Sequence, residues 1–384
     1  MKSYRVAIIG CGPRGTAIAQ GYAAHPRTEV VALCDLRPDH RDRLAAALGV
    51  AACYADLDQM MAVERPDIVV IATGTEFHYD LCLRVLEYGA HIDVEKPLCT
   101  NLEEADRLLA AANSRGVCLA VHHQSRLGPP LQAVRRAIAA GQIGEVRALI
   151  ANDKGYYGGY GLMNLATHLI NNFLALAGRC QGVSAVATVA GRPITPEDVV
   201  VAPGGMGIVA GERITAMLDF PAGVVATVMC HHLPRADALA HGIEILGTTG
   251  RILWKTTDAW WLPVPHHAPD GTHDQWQPLP AILPEGYDPA RGAYPDEYAF
   301  ADEMVRAIEE GREHDCSGAE AHHVLEVLMG ILESAAYGRR VPLPQTRRDH
   351  PLLRWRHEAG LGDPEPRSRD YDAWIAEEDA RLGR

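Results

Sequence analysis

The apolar run Arg5-Val6-Ala7-Ile8-Ile9 empties into Gly10-Cys11-Gly12-Pro13-Arg14-Gly15, and a helix-forming stretch, Thr16 to Ala24, follows. A strand, a glycine turn and a helix in that order describe the opening unit of a parallel sheet that takes a dinucleotide at its edge. Gly10 permits the tight turn, Gly12 lets a pyrophosphate approach the backbone, and Gly15 lets the helix lie close to the strand. Cys11, Pro13 and Arg14 complete the loop, and the helix N-terminus offers N–H groups and positive partial charge to phosphates. A second apolar run, Val30 to Cys34, ends at Asp35. A carboxylate there accepts the adenosine ribose hydroxyls and repels a 2′-phosphate, which favours NAD over NADP. Arg37 lies near enough to weaken that preference. The plain alternative is a strand-turn-helix with incidental glycines.

Strands and helices alternate through the first third. Helical stretches Asp39 to Leu48, Leu57 to Val63, Phe77 to Tyr88 and Leu102 to Arg115 separate the apolar runs Ile68 to Ala72, His91 to Val94 and Val117 to Val121. Uninterrupted apolar strands between amphipathic helices predict a parallel sheet covered on both faces, an α/β doubly wound (Rossmann) arrangement. Ligands of such sheets sit beyond the carboxyl ends of the strands. Gly10–Gly15, Asp35, Thr73–His78, Glu95–Pro97 and His122–Arg126 all fall just past strand ends.

From Gly144 the pattern changes. Glu145 to Ala151, Ser184 to Gly191, Arg213 to Phe220, Val224 to His231 and Gly242 to Leu253 read as strands of a long antiparallel sheet. Pro221-Ala222-Gly223 and Gly247-Thr248-Thr249-Gly250 are its turns. Leu162 to Ala177, Tyr298 to Glu310 and Ala319 to Ala336 have helical period. The expected organisation is a dinucleotide-binding domain over 1–125, an α+β substrate and oligomerisation domain over 126–345, and a charged extension over 346–384. The extension is expected to lie on a partner subunit or to be mobile. His266 to Tyr294 reads as a loop excursion.

The composition excludes several classes. A net charge of −13 without a basic block argues against a nucleic-acid surface. No apolar stretch is long enough to span a bilayer, and Met1-Lys2-Ser3-Tyr4 leads straight into the first strand without a signal peptide. The nine cysteines are scattered without a C-x-x-C pair, as expected of a reduced cytoplasmic protein. The pairs His122-His123, His231-His232, His266-His267 and His322-His323 form no spaced ligand set, so no metal is expected. His231 or His232 is placed within reach of the substrate. Lysine is confined to Lys2, Lys96, Lys154 and Lys255, whereas arginine is abundant. A lysine can change protonation state when buried and an arginine cannot, which singles out Lys96.

Together these motifs resemble the Gfo/Idh/MocA family of nicotinamide-dependent oxidoreductases over nearly the whole chain, to about Pro344. The markers are the glycine loop, Thr73-Gly74-Thr75 with His78, Glu95-Lys96-Pro97, Arg126, Gly141-Gln142-Ile143-Gly144 and Met163-Asn164-Leu165-Ala166-Thr167-His168. The resemblance implies that the antiparallel sheet is large and open, that substrates are sugars, cyclitols or their derivatives, and that homodimers or homotetramers are built by sheet-to-sheet packing. It implies cofactor contacts from Thr73, Thr75, His78, Glu95, Lys96 and Gln124, and a cis peptide before Pro97. Lys96 would stabilise the developing alkoxide and His168 would exchange the proton. Asn164, four residues before His168, shares its helix face and addresses the same ligand. Many relatives carry aspartate where this chain has Asn164 and Asn171. An amide cannot carry charge, so an anionic substrate such as a uronate meets less repulsion. Lys154, Tyr157 and Tyr160, in a glycine- and tyrosine-rich loop over 152–161, are candidate substrate contacts; packing against a neighbouring subunit is the other role open to that loop.

Three activities fit: a dehydrogenase of sugar or cyclitol carbinols, a glycosidase-like enzyme that oxidises transiently with tightly bound NAD, and a non-catalytic NAD sensor.

Overall fold

The computed structural model describes residues 2–264 and 275–384, and the chain divides into two compact units. His266 and His267 lie outside the described residues.

The first unit is built on six parallel strands: β1 (Tyr4–Ile9), β2 (Thr28–Cys34), β3 (Cys53–Tyr54), β4 (Ile68–Ile71), β5 (His91–Val94) and β6 (Leu119–Val121), in the spatial order β3-β2-β1-β4-β5-β6. The helices α1 (Pro13–Ala24), α2 (Pro38–Leu48), α3 (Leu57–Glu64), α4 (His78–Glu87) and α5 (Leu102–Arg115) connect them. Every residue of β4 is buried, as expected where helices cover both faces. The strand order reverses between β1 and β4, the switch point at which such sheets take dinucleotides.

One segment departs from the expected boundaries. Residues Leu283–His322, assigned on sequence to the second domain, belong to the first unit. The helix Pro295–Glu310 brings Phe300, Ala301, Met304 and Val305 into one core with Ile8, Ile18 and Tyr22. Val121 N–H then donates to the Cys316 carbonyl at 2.9 Å. The apolar stripe of that helix was legible, but periodicity names a face and not the surface it covers.

The second unit holds a mostly antiparallel sheet of ten strands, with one parallel pair between Val146–Asn152 and Val225–His231. Both expected turns join antiparallel neighbours. The strands Ala259–Leu262 and Gln277–Leu279 extend one edge, the second of them within the stretch His266 to Tyr294 that the sequence suggested was loop. Burial alternates along Arg213–Asp219, so one face of the sheet is packed and the other is open. The C-terminal extension packs on its own chain through the helices Pro351–Glu358 and Tyr371–Arg381, with Trp374 fully buried. Among the described residues no helix is long and apolar enough to cross a membrane.

Candidate active site

Five of the first unit's six strand exits, those of β1, β2, β4, β5 and β6, are tied to one another by hydrogen bonds. Gly10 adopts φ +87°, and a Cβ there would stand 2.5 Å from the Ala72 carbonyl oxygen. A Cβ on Gly15 would meet the Gly10 carbonyl oxygen at 1.8 Å, so both positions demand glycine. Gly12 differs: a Cβ there would find nothing nearer than His40 Nδ1 at 3.8 Å. The backbone at Gly12 faces open space at the start of α1, whose first turn has no side-chain cap. Uncapped N–H groups beside a bare backbone suit a pyrophosphate.

Asp35 Oδ2 accepts the Cys11 N–H at 2.6 Å and Oδ1 accepts the Arg37 N–H at 2.8 Å, which fixes the carboxylate beside the glycine loop. The Arg37 side chain pairs with Asp39 at 2.9 Å on the exposed surface. Its guanidinium is therefore committed to a neighbour at the start of α2 and not to Asp35.

A chain of buried charges runs beneath the β5 and β6 exits. Tyr22 Oη donates to Asp93 at 3.0 Å, and His122 Nδ1 donates to Asp93 at 2.9 Å. His122 Nε2 lies 2.7 Å from Glu297, which also accepts from Arg14 at 3.0 Å. Arg14 Nε donates to Glu95 at 2.7 Å, and the Lys96 N–H donates to the other Glu95 oxygen at 3.1 Å. Burial alone would lower the basicity of His122, but Asp93 and Glu297 outweigh it and raise the imidazole to about 10. Burial would raise the Glu95 carboxyl; Arg14 and Lys96 overcome that and hold it at about 2. Three carboxylates thus alternate with an imidazolium and a guanidinium and support the Glu95-Lys96-Pro97 segment, whose Lys96–Pro97 peptide is cis. Sequence reading missed Asp93 and Glu297. An acidic residue inside the apolar run His91 to Val94 was the available signal, because a buried carboxylate requires a partner.

Other expected cofactor residues divide into two groups. Gln124 stands at the β6 exit with a buried side-chain oxygen that has no hydrogen-bond partner, an acceptor suited to a carboxamide N–H. Arg14 Nη2 is likewise buried and unsatisfied. His123 is fully buried; burial and then the Lys96 cation push its imidazole down to about 3, so it is neutral. His78, expected at the cofactor, is instead buried between two carbonyls. Its Nδ1 lies 2.9 Å from the Pro97 oxygen and its Nε2 3.3 Å from the Thr73 oxygen. It fastens the β4 exit to the β5 exit; Thr75 is buried in the same turn. Arg126 is also structural, pairing with Glu320 at 3.0 Å and Asp315 at 3.3 Å.

In the second unit, Asn164 lies on a π-helical turn, Leu162–Ala166, that runs into the helix Thr167–Ala177. The sequence predicted one regular helix here; an inserted π-turn leaves no periodic trace and is frequent at functional sites. Asn164 and His168 are half-buried while Met163, Ala166, Thr167 and 169–172 are buried, so the pair shares the accessible side. Asn171 is fully buried inside the unit. The loop before this helix is packed. A Cβ on Gly161 would lie 2.1 Å from Asp153 Oδ2. Burial raises the Asp153 carboxyl to about 7. Tyr157, expected at the substrate, is buried and donates its hydroxyl to Glu378 at 2.9 Å. Tyr160 is half-buried and its oxygen accepts Asn164 Nδ2 at 2.9 Å. Lys154 is half-buried, and its carbonyl accepts the Asp237 N–H at 2.6 Å. His231 faces the open side of the sheet, 2.8 Å from Thr215 Oγ1, away from the packed helices, and His232 packs beside Tyr157. His322 and His323 point to Asp106 and Glu326.

Residues 4–123 match the family described as "Oxidoreductase family, NAD-binding Rossmann fold", and residues 131–253 match "GFO/IDH/MocA C-terminal domain". The chain is 30% identical over 189 residues to D-glucoside 3-dehydrogenase of Escherichia coli, covering 45% of this chain and 54% of that protein. It is 33% identical over 144 residues to D-apiose dehydrogenase of Paraburkholderia graminis, 38% of each chain. The chain therefore spans about half or less of the length of these relatives. Among solved structures, levoglucosan dehydrogenase in complex with NADH and levoglucosan superposes with a TM-score of 0.72 at 22% identity, over 90% of this chain and all of that one.

Proposed function

The chain belongs to the Gfo/Idh/MocA oxidoreductases, and from that premise we propose that it is an NAD-dependent dehydrogenase of a carbinol in a sugar, cyclitol or sugar derivative. The observation that carries this reading is the joining of five strand exits into one hydrogen-bonded rim around the glycine loop and Lys96. Bound NAD supplies the hydride acceptor. Asp35 would accept the adenosine ribose hydroxyls, the first turn of α1 would hold the pyrophosphate, and Gln124 would accept from the carboxamide. Lys96 donates a hydrogen bond to the substrate oxygen and stabilises negative charge as it develops. As the family resemblance implies, His168 takes the hydroxyl proton, a general-base role to which an imidazole is suited. Asn164 orients the substrate without adding charge. The reduction direction uses the same groups.

The test is a screen of sugars, their uronates, cyclitols and glycosides with NAD+ or NADP+. The expected result is net NADH formation, NAD+ preferred, and a uronate turned over at least as well as its neutral parent. Turnover with no net NADH would replace this reading by transient oxidation, and preference for the neutral sugar would remove the uronate.

The open face of the second unit's sheet exposes Val186 and Met217. A second copy of this chain is the proposed cover, as the family resemblance implies. Light scattering is expected to give two or four chain masses; a single chain mass overturns the oligomer. All nine cysteines are free thiols, which suits the reducing cytoplasm proposed as its compartment.

A further inference from the structure

The C-terminal helix Tyr371–Arg381 is built into the second unit. Asp370 caps it by accepting the Ala373 N–H at 3.0 Å. Trp374 is fully buried and donates Nε1–H to the Val201 carbonyl at 2.7 Å. Glu378 is buried, accepts the Tyr157 hydroxyl at 2.9 Å, and pairs with Arg367 and Arg381, each at 2.7 Å. Arg384 reaches Glu212 at 2.7 Å.

This anchoring aims Tyr371 at the loop before the His168 helix. Its hydroxyl oxygen accepts the Tyr157 backbone N–H at 2.9 Å. Its ring meets Tyr156 edge-on at 4.9 Å and lies inclined on Tyr160 at 4.9 Å. Tyr160 is in turn the acceptor for Asn164. Tyr156, Tyr160 and Tyr371 are half-buried, whereas Tyr157 and Trp374 behind them are buried. Three half-buried tyrosines are therefore packed together beside Asn164, with the buried Tyr157 and Trp374 holding the C-terminal helix in place.

We propose that Tyr371, Tyr156 and Tyr160 form an aromatic wall that takes the apolar C–H face of a sugar ring, with Tyr371 as the specificity-determining residue contributed by the C-terminal helix. Aromatic faces stack on such surfaces while their hydroxyls stay hydrogen-bonded. The proposal rests on Asn164 and His168 addressing the reacting hydroxyl of the same ligand.

The test compares Tyr371→Ala and Tyr371→Phe in the full chain. Loss of the ring is expected to raise KM for the oxidised sugar about tenfold, the size of one good aromatic contact. In Tyr371→Ala, kcat should stay within about threefold and the NAD+ Kd within about twofold, and Tyr371→Phe should restore KM to within about threefold. An unchanged KM in Tyr371→Ala overturns the wall, as does loss of NAD+ affinity in step with KM. If the wild type oxidises no carbohydrate, the dehydrogenase reading falls, and saturation-transfer NMR with glucose, glucuronate and myo-inositol decides separately. Transfer seen in the wild type and lost in Tyr371→Ala supports the wall; no transfer in the wild type, or transfer kept in the variant, overturns it.

Discussion

A Lys96→Ala variant should lose about 10²- to 10⁴-fold in kcat, the range for removing a group that handles charge and proton at the reacting oxygen. Its NAD+ Kd, read by quenching of protein fluorescence, should change by less than about threefold, because the glycine loop and Asp35 do not depend on the lysine side chain. Lys96→Arg should restore little. A guanidinium is larger, keeps its proton, and presents a planar fork where a compact ammonium is needed. Glu95 is buried against Arg14, so the lysine backbone keeps its anchor when the side chain is removed. A kcat within about fivefold of wild type would remove Lys96 from the chemistry.

Replacing His122 with leucine should cost about 3–5 kcal/mol of stability, as expected when one member of a buried ion pair is deleted and its partners are stranded. Asp93 and Glu297 would both lose their shared cation, and Arg14 would be left to satisfy Glu297 and Glu95. The measurement is the urea unfolding midpoint of the full chain against wild type. The sign of the pH dependence follows from the raised imidazole. The folded value of about 10 lies above the ordinary 6.5, so the contribution is complete below pH 6.5 and is lost as pH rises toward about 10. The slope in that window is about 1.4 kcal/mol per pH unit per proton. The difference between wild type and His122→Leu should shrink across this window; a constant difference would mean that His122 is neutral in the folded chain. At the acid end, Glu95 is held at about 2, so its contribution is lost as pH falls from about 4.5 through 2.

The half of the candidate site that follows from local chain rules was legible in the sequence. Gly10, Gly12 and Gly15 mark one continuous strand-turn-helix, and Asp35 and Glu95-Lys96-Pro97 stand at the ends of strands whose apolar runs declare them. What required tertiary contacts stayed hidden. His78 matched a cofactor marker, yet its Nδ1 lies against the Pro97 carbonyl, because a buried imidazole needs a partner wherever it finds one. Tyr157 and Tyr160 looked equivalent three residues apart, but only Tyr160 keeps an accessible side. Tyr371 and Trp374, at i and i+3 of a helix within a charged tail, were the visible sign that the tail has a surface to cover. The sequence does not say whether that surface belongs to the same chain; the bond from Tyr371 to Tyr157 does.

The most direct test of the central claim follows the hydrogen itself. A carbohydrate that the enzyme oxidises is prepared with deuterium on the reacting carbinol carbon, and the nucleotide is analysed by mass spectrometry after one turnover. The account predicts one deuterium in the accumulated reduced nicotinamide. Oxidised product formed while the nucleotide carries no deuterium would contradict it.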